Sequence, residues 1–225
     1  MAHPFDSTHW SVVLGAAEQN PARRQAFGKQ YLPIVRAYLA ARWRLPTDHE
    51  RVEDAVQDVF VQCFRPGGAL GHVDPIRPGG FRSFLFGVVR HVAIDAERQR
   101  SRLSGLAPHG GDNLDAAETN EDLPSQVFDR EWARMVAEQA FELMSARGGG
   151  VAQRRIAVLR LRYYDGTPPR KIAENAHMDV RDVYRLLEAG RNQFRATMLE
   201  VMAKHYSGES RSELERRCCE LLDLF

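Results

Sequence analysis

Apolar residues recur at helical spacing in nearly every periodic segment of this 225-residue chain, and no segment alternates apolar and polar residues convincingly as a half-buried strand does. Outside residues 81–102, helices are predicted over residues 23–44, 51–64, 127–147 and 152–164. The clearest pattern lies in residues 81–102, whose apolar stripe consists of Phe81, Phe84, Leu85, Val88, Val92 and Ala96. We therefore expect an all-α fold.

An acidic segment containing glycine and proline divides these helices into two groups. Residues 103–125 carry several Asp and Glu side chains, contain no Lys or Arg and have few large apolar residues. Such a composition is typical of an extended linker. We predict two helical domains: a first domain over residues 1–102, a linker over 103–126, a second domain over 127–204 and a helical extension over 205–225.

The second domain contains a short helix, a tight turn and a longer helix in succession. Residues 170–175 form the predicted short helix, with Thr167 as N-cap and Pro168 at the first helical position. Asp179 is positioned to cap the longer helix after the turn over residues 176–178. This is the layout of a helix-turn-helix, and its expected core is Ile172, Ala173, Met178, Val183 and Leu187.

The helix-turn-helix supplies one set of candidate DNA contacts. Its second helix would enter the major groove with its N-terminal part, where an arginine pairs with guanine and acidic side chains accept from cytosine. Other basic side chains would hold phosphates. The candidates are Arg170, Lys171, Arg181, Asp182, Tyr184, Arg185, Glu188 and Arg191. The same pattern also fits the solvated face of a helical bundle, and the residues alone leave both interpretations open.

The helix over residues 81–102 supplies a second set. Phe86 lies off the apolar stripe, near Arg82 and Arg90 on a helical wheel. An exposed aromatic ring flanked by arginines suits unstacked bases, because the ring stacks on a base and the cations meet phosphates. The alternative is a core helix with a solvated arginine face. The candidate DNA contacts of this helix are Phe81, Arg82, Phe86, Arg90, His91, Arg98 and Arg100.

The preceding helix, predicted over residues 51–64 after a capping box at 47–50, carries an acidic face. Its buried side consists of Val52, Ala55, Val56, Val59, Phe60 and Cys63, and the face off this stripe consists of Glu53, Asp54, Gln57 and Asp58. Because this face would repel phosphate, it is interpreted as either solvated or a docking surface for a basic protein partner.

Composition and cysteine usage exclude several other classes. The chain is 44% hydrophobic and 27% charged with a net charge of +1, so any nucleic-acid site must be local. Cys63, Cys218 and Cys219 have no metal-ligand spacing and suit a reducing cytoplasm; the adjacent pair is expected to have a buried apolar role. No signal peptide, membrane-spanning run or known catalytic motif is present. We therefore expect no enzyme activity, catalytic residue, cofactor, metal or membrane partner.

Three segments in fixed order resemble the sigma-70 family, and with the acidic linker between them the chain resembles a bacterial extracytoplasmic-function sigma factor. The run VEDAVQDVF at residues 52–60 is similar to the part of region 2 that docks on RNA polymerase. The run FRSFLFGVVRHVAID at 81–95 is similar to the minus-ten reading and melting segment. Residues 155–194, with LRYYDG at 161–166 and KIAE at 171–174, resemble region 4. The resemblance covers roughly residues 23–200.

The resemblance implies a function for each feature. The acidic face would bind the clamp of core RNA polymerase, the helix over 81–102 would capture the non-template strand of promoter DNA, and the helix-turn-helix would read the minus-thirty-five element. The linker would occupy the RNA path. An anti-sigma factor or another protein regulator is a further expected partner. Two alternatives stay open: a helix-turn-helix regulator that acts without polymerase, and a degenerate sigma-like interaction protein that no longer opens DNA.

The chain departs from the residues that this family often has at four positions. Phe84 stands where the family often has Trp, Gly87 where it has Arg, and His91 where it has Asn. His177 replaces a frequent glycine of the helix-turn-helix turn. The first three positions belong to the segment implied in strand opening, so they bear directly on promoter sequence and DNA affinity.

Overall fold

The computed structural model describes residues 8–103 and 122–224, and most of the predicted linker lies outside these ranges. The described part contains helices and no strand, which confirms the all-α class. A short 3₁₀ turn covers Ala69–His72. The α-helices are α1 (Thr8–Ala17), α2 (Pro21–Trp43), α3 (Glu50–Phe64), α4 (Gly80–Leu103), α5 (Asp122–Tyr163), α6 (Pro169–Asn175), α7 (Val180–His205) and α8 (Arg211–Leu222).

The chain divides into two compact units. Unit 1 comprises Met1–Trp132 and Lys204–Glu209, and unit 2 comprises Ala133–Ala203 and Ser210–Phe225. The first turns of α5 therefore belong to unit 1, and they are helical from Asp122, where the sequence suggested extended linker up to residue 126. The domain boundaries drawn from the sequence stay a prediction.

The core of unit 1 is a cluster of aromatic rings around Phe81. The Phe81 ring lies 6.0 Å from Trp10, 5.9 Å from Phe27 and 5.1 Å from Tyr31. Trp132, from the beginning of α5, stacks on Tyr31 at 6.0 Å. Edge-to-face and offset ring pairs of this kind stabilise a core beyond the area that they bury. The cluster joins α1, α2, α4 and α5 within unit 1.

Helix α1 was not expected from the sequence. Its short length offers little periodicity, yet Trp10 and Val13 are completely buried. Tertiary packing of these side chains, rather than a strong pattern in the helix, holds α1 on unit 1.

The start of α3 corrects the predicted capping box at residues 47–50. His49 is the N-cap, and its Nδ1 accepts a hydrogen bond from the backbone N–H of Arg51 at 3.1 Å. Thr47 lies inside a turn that the His49 N–H closes by donating to the Pro46 carbonyl at 3.2 Å. The turn after Pro46 therefore delays the helix past the residue that was expected to cap it.

Unit 2 has a smaller aliphatic core that joins α5, α6 and α7. Its buried members are Phe141, Met144, Val158, Leu159, Ile172, Ala173, Val183 and Leu187. Gly149 adopts φ 52° and ψ −143° inside α5, at the glycine run that was expected to interrupt this helix. Residues with a side chain rarely adopt this conformation, so glycine provides the kink.

Helix α8 begins with a capping box, because Ser210 and Glu213 accept hydrogen bonds from each other's backbone N–H groups. Leu214, Cys218 and Leu221 are buried, which agrees with the apolar role expected for Cys218; burial raises the pKa of its thiol to about 11. Cys219 is exposed. Leu222 is 36% exposed.

His205 makes the stability of unit 1 depend on pH. The ring is fully buried 5.2 Å from Trp132, and burial, helped by the charge of Lys204, lowers its pKa from 6.5 to about 3. Below pH 6.5 the unfolded chain takes up a proton that the folded chain refuses, so stability falls as pH decreases from 6.5 towards 3. We expect His205 to cost about 2 kcal/mol of unfolding free energy at pH 5 relative to pH 7.

Urea unfolding at the two pH values checks this expectation. His205→Gln should remove most of the difference attributed to His205, whereas His72→Gln, at an exposed histidine, should leave the difference as in the wild type. An identical pH dependence in the wild type and in His205→Gln would contradict the assignment.

Candidate functional site

The buried face of α4 differs from the stripe predicted from spacing. Phe81, Leu85, Val89, Val92 and Ala93 are buried, whereas Phe84, Val88 and Ala96 are only partly buried. Phe81 has no exposed surface, so its assignment as a DNA contact is wrong and it is a core residue. Phe81 is buried because aromatic rings from three helices of unit 1 surround it.

Phe86 is partly buried against two rings of unit 1 and is not the exposed platform that the sequence suggested. Its ring lies 5.6 Å from Tyr38 and 5.2 Å from Phe128, both edge-to-face. Arg82, expected to flank this ring and meet phosphates, donates from Nε to Asp129 at 2.8 Å. Phe128 and Asp129 come from the beginning of α5, a part of the chain that the sequence assigned to the second domain and that belongs to unit 1.

A pocket of about 260 Å³ opens on another face of α4. Phe84, Gly87 and His91 line it, and these are the positions at which α4 departs from the residues common in the resembling family. A Cβ atom at Gly87 would meet no atom within 4 Å, so the absence of a side chain leaves this part of the pocket open. The other lining residues are Gln62, Ala69, Arg77, Ser83, Val88 and Val92. We call this cavity the capture pocket.

The capture pocket combines an aromatic ring, an imidazole and a guanidinium. His91 is 68% exposed, and its Nε2 lies 3.2 Å from Asp95. Arg77 contributes from the segment that leads into α4. Periodicity assigned Phe84 to the core and therefore missed the pocket. The signal that could have located it is the i, i+3, i+7 spacing of Phe84, Gly87 and His91, which places all three on one helix face.

The C-terminal half of α4 carries the remaining basic candidates. Arg90 is partly buried and Arg98 and Arg100 are exposed; Arg98 lies 3.5 Å from Asp95. Arg51, from the start of α3, stacks its guanidinium 4.0 Å above the Trp43 ring. Burial and the charge of Arg100 lower the pKa of Arg51. Arg51 therefore adds a cation that the sequence did not indicate.

A network of hydrogen bonds near these cations holds α2 against α4. Both oxygens of Glu97 accept from Arg42, at 2.7 and 3.1 Å, and Trp43 Nε1 donates to the same carboxylate at 2.7 Å. Burial alone would raise the pKa of Glu97, but these hydrogen bonds and the charges of Arg42 and Arg51 outweigh it and lower the pKa. Glu97 therefore stays ionised and holds the two helices together.

The acidic face of α3 is exposed as expected at Asp54, Gln57 and Asp58. Glu53 differs, because its carboxylate accepts two hydrogen bonds from Arg36, at 2.6 and 3.0 Å. Glu53 thus pairs with α2 and leaves the other three side chains to present the face.

A groove of about 760 Å³ lies beside this face, between α2 and α3. Its lining is largely apolar and includes Val61, which is 61% exposed. We call it the docking groove. The lining residues are Gln19, Arg24, Leu32, Arg36, Glu53, Val56, Gln57, Phe60, Val61, Phe64, Arg65 and Pro66.

Unit 2 contains a short helix, a turn and a longer helix where the sequence predicted a helix-turn-helix. α6 ends at Asn175, and Asp179 Oδ1 accepts from the Arg181 backbone N–H at 2.7 Å at the start of α7. The Thr167 cap is corrected: Pro168 is the N-cap residue and Pro169 opens the helix. His177 adopts φ 51°, a left-handed conformation that glycine would adopt at less cost. The expected core is buried, with Met178 packed against it.

The outward face of this helix-turn-helix is mixed in charge. Arg170, Lys171, Arg181, Tyr184, Arg185, Glu188 and Arg191 are exposed, and Asp182 is partly buried. Arg185 pairs with Asp182 within the same turn, and Arg191 donates to the Tyr163 hydroxyl at 3.3 Å. The face therefore presents Tyr184, which is 56% exposed, among basic side chains. One of these, Arg185, is paired with an acidic side chain.

In the described ranges, no helix is long and apolar enough to cross a membrane, and no three His, Cys, Asp or Glu side chains are grouped to hold a metal.

Comparison with known families identifies one segment. Residues 29–103 match the family model of Sigma-70 region 2. The match covers most of α2 and all of α3 and α4, roughly a third of the chain, and contains the capture pocket and most of the residues that line the docking groove. The match lies entirely within unit 1. Neither the curated proteins nor the solved structures gave a match.

Two phenylalanines of α4 should respond differently to truncation. Phe86→Ala should lower the unfolding free energy by about 2 kcal/mol, because it removes a ring held between Tyr38 and Phe128. Phe84→Ala should cost about half as much, since Phe84 lines the capture pocket and has one neighbouring ring, Phe81, at 5.6 Å. Urea unfolding of the two variants measures the difference; a larger loss for Phe84→Ala would contradict these positions.

Proposed function

We propose that this protein is a sigma factor of the extracytoplasmic-function type, which binds core RNA polymerase, recognises promoter DNA and promotes transcription initiation. The observation that carries the proposal is the coincidence, on the segment that matches region 2, of an acidic docking face and a separate capture pocket. RNA synthesis would belong to the polymerase, and this chain would supply recognition and strand opening.

Polymerase would bind at α3. Asp54, Gln57 and Asp58 present two carboxylates and an amide to solvent beside the apolar docking groove. A basic partner helix would be steered by the carboxylates and would bury its apolar side in the groove. Glu53 acts as a positioning residue, because its pairing with Arg36 holds α2 and α3 at the groove. A regulator such as an anti-sigma factor would compete most directly by covering this surface.

The non-template strand would bind at the capture pocket. A base taken out of the duplex loses stacking and pairing worth a few kcal/mol, and a stacking contact with an aromatic side chain returns about 1–3 kcal/mol. Phe84 offers the ring, His91 a hydrogen-bonding group and Arg77 a charge for phosphate. Gly87 leaves space that a side chain would fill. Phe84 thus takes the role that the sequence suggested for Phe86.

Unit 2 would read duplex DNA with α7. Arg181, Tyr184, Arg185 and Glu188 are exposed on its N-terminal turns, as a helix in the major groove requires. The Asp182–Arg185 pair restrains the arginine, so pairing with guanine would require that this bond opens or is shared. Arg170 and Lys171, on α6, would hold the phosphate backbone. This arrangement supports a reader of the minus-thirty-five element.

Run-off transcription with core polymerase tests the proposal. The wild-type chain should give transcripts from a defined set of promoters, and Asp54→Arg and Asp58→Arg should reduce them at least about tenfold because a basic partner is repelled. Asp48→Arg makes the same charge change at an exposed residue before α3 and should leave transcription unchanged.

Three outcomes separate the proposal from its competitors. No new transcript from any promoter would contradict the sigma function. Specific duplex binding that survives without polymerase would favour a free helix-turn-helix regulator. Polymerase binding without strand opening would favour a sigma-like interaction protein.

A further inference from the structure

The segment Lys204–Glu209 is built into unit 1, although its neighbours in the chain on both sides belong to unit 2. We call this segment the strap. It begins with the last two residues of α7 and ends just before α8. The chain therefore enters unit 1 at Lys204 and leaves it at Glu209, and displacement of unit 2 acts on the strap through two covalent connections.

Side chains seat the strap firmly in unit 1. His205 is fully buried 5.2 Å from Trp132, and Tyr206 is 2% exposed. Trp10 Nε1 donates to the Ser207 hydroxyl at 2.7 Å, a hydrogen bond between residues 197 positions apart. The strap therefore contacts side chains of α1 and α5.

Two glycines let the strap backbone approach the segment that leads into α4. A Cβ atom at Gly80 would lie 2.3 Å from the His205 carbonyl oxygen and 2.9 Å from the Tyr206 ring. A Cβ atom at Gly208 would lie 2.9 Å from the Ile76 carbonyl oxygen. Real Cβ atoms do not make such contacts, so the strap rests directly on residues 76–80. Arg77, which lines the capture pocket, lies inside this segment.

We propose that the strap is an autoinhibitory latch on the capture pocket, an inference that rests on the proposed function. The seated strap holds residues 76–80 and with them Arg77 at the wall of the pocket. Release of the strap frees this segment and lets the pocket admit a nucleotide of the non-template strand. Because unit 2 flanks the strap on both sides, the binding of unit 2 to its own ligand is the event that pulls the strap away.

The latch lowers affinity in a defined way. If a nucleotide binds only when the strap is displaced, its observed affinity is the intrinsic affinity multiplied by the fraction of molecules whose strap is displaced. A variant that disfavours the seated strap should therefore bind the strand more tightly, by at least about threefold, without any new contact to the nucleotide.

Gly208→Ala tests the latch, with Gly71→Ala as its matched control. The first places a methyl group against the Ile76 carbonyl, whereas the second places it where no atom lies within 4 Å. Ser207→Ala is a milder variant that removes the bond to Trp10 while leaving the backbone as it is. Circular dichroism confirms that each full-length variant is folded.

Amide hydrogen exchange in the full chain gives the first readout and needs no DNA. Gly208→Ala and, less strongly, Ser207→Ala should speed exchange in residues 76–80 and 204–209 together, and Gly71→Ala should match the wild type. Unchanged exchange over residues 76–80 in Gly208→Ala would overturn the latch.

The second readout is strand binding. Each variant is assembled with core polymerase, and its affinity for a labelled single-stranded oligonucleotide with the non-template minus-ten sequence is measured. An affinity at least about threefold higher for Gly208→Ala supports autoinhibition. Equal or weaker binding, with wild-type binding present, would overturn it. Faster exchange with no strand binding by any variant, wild type included, would instead count against the proposed function and leave the coupling between strap and segment 76–80 standing.

Discussion

The packing of aromatic rings around Phe81 is the interaction on which unit 1 depends. Phe81 begins the buried face of α4, and its ring contacts Trp10 of α1 and Phe27 and Tyr31 of α2. Once these contacts fix the rotation of α4, its other faces are decided as well. Phe84, Gly87 and His91 line an open pocket, while Phe86 turns towards Tyr38 and Phe128. The position of the proposed strand-binding surface is therefore a consequence of core packing.

A second constraint is the separation of charge on a chain that is nearly neutral overall. Acidic side chains gather on the exposed face of α3, and cations gather along α4 and at the beginning of α3. Carboxylates inside the structure are paired with arginine, as in Glu53 with Arg36 and Glu97 with Arg42. Paired groups hold helices together, and exposed groups such as Asp54 and Asp58 remain for partners. The chain thus has two surfaces of opposite charge, although its net charge is only +1.

The sequence predicted what local spacing determines and missed what tertiary contacts determine. Helical periodicity located α2, α3 and α4, and turn chemistry located α6, the turn after it and the start of α7. The short helix α1 was missed because burial of Trp10 and Val13 stabilises it. Phe86 was assigned wrongly because a helical wheel cannot show that Phe128 covers it. Phe84 was assigned to the core because it fits the apolar spacing, although Gly87 and His91 on the same helix face indicate the pocket that opens there.

The proposed function requires that this chain, together with core polymerase, opens the strands of promoter DNA. Permanganate probing of thymines on the non-template strand measures opening directly, at a promoter that the reconstituted enzyme transcribes. We predict reactive thymines in the minus-ten element with the wild-type chain, none with polymerase alone, and a marked loss with Phe84→Ala although that variant still binds polymerase. Reactivity that is absent with the wild-type chain, or that does not depend on Phe84, would contradict the central claim that the capture pocket of α4 holds the opened strand.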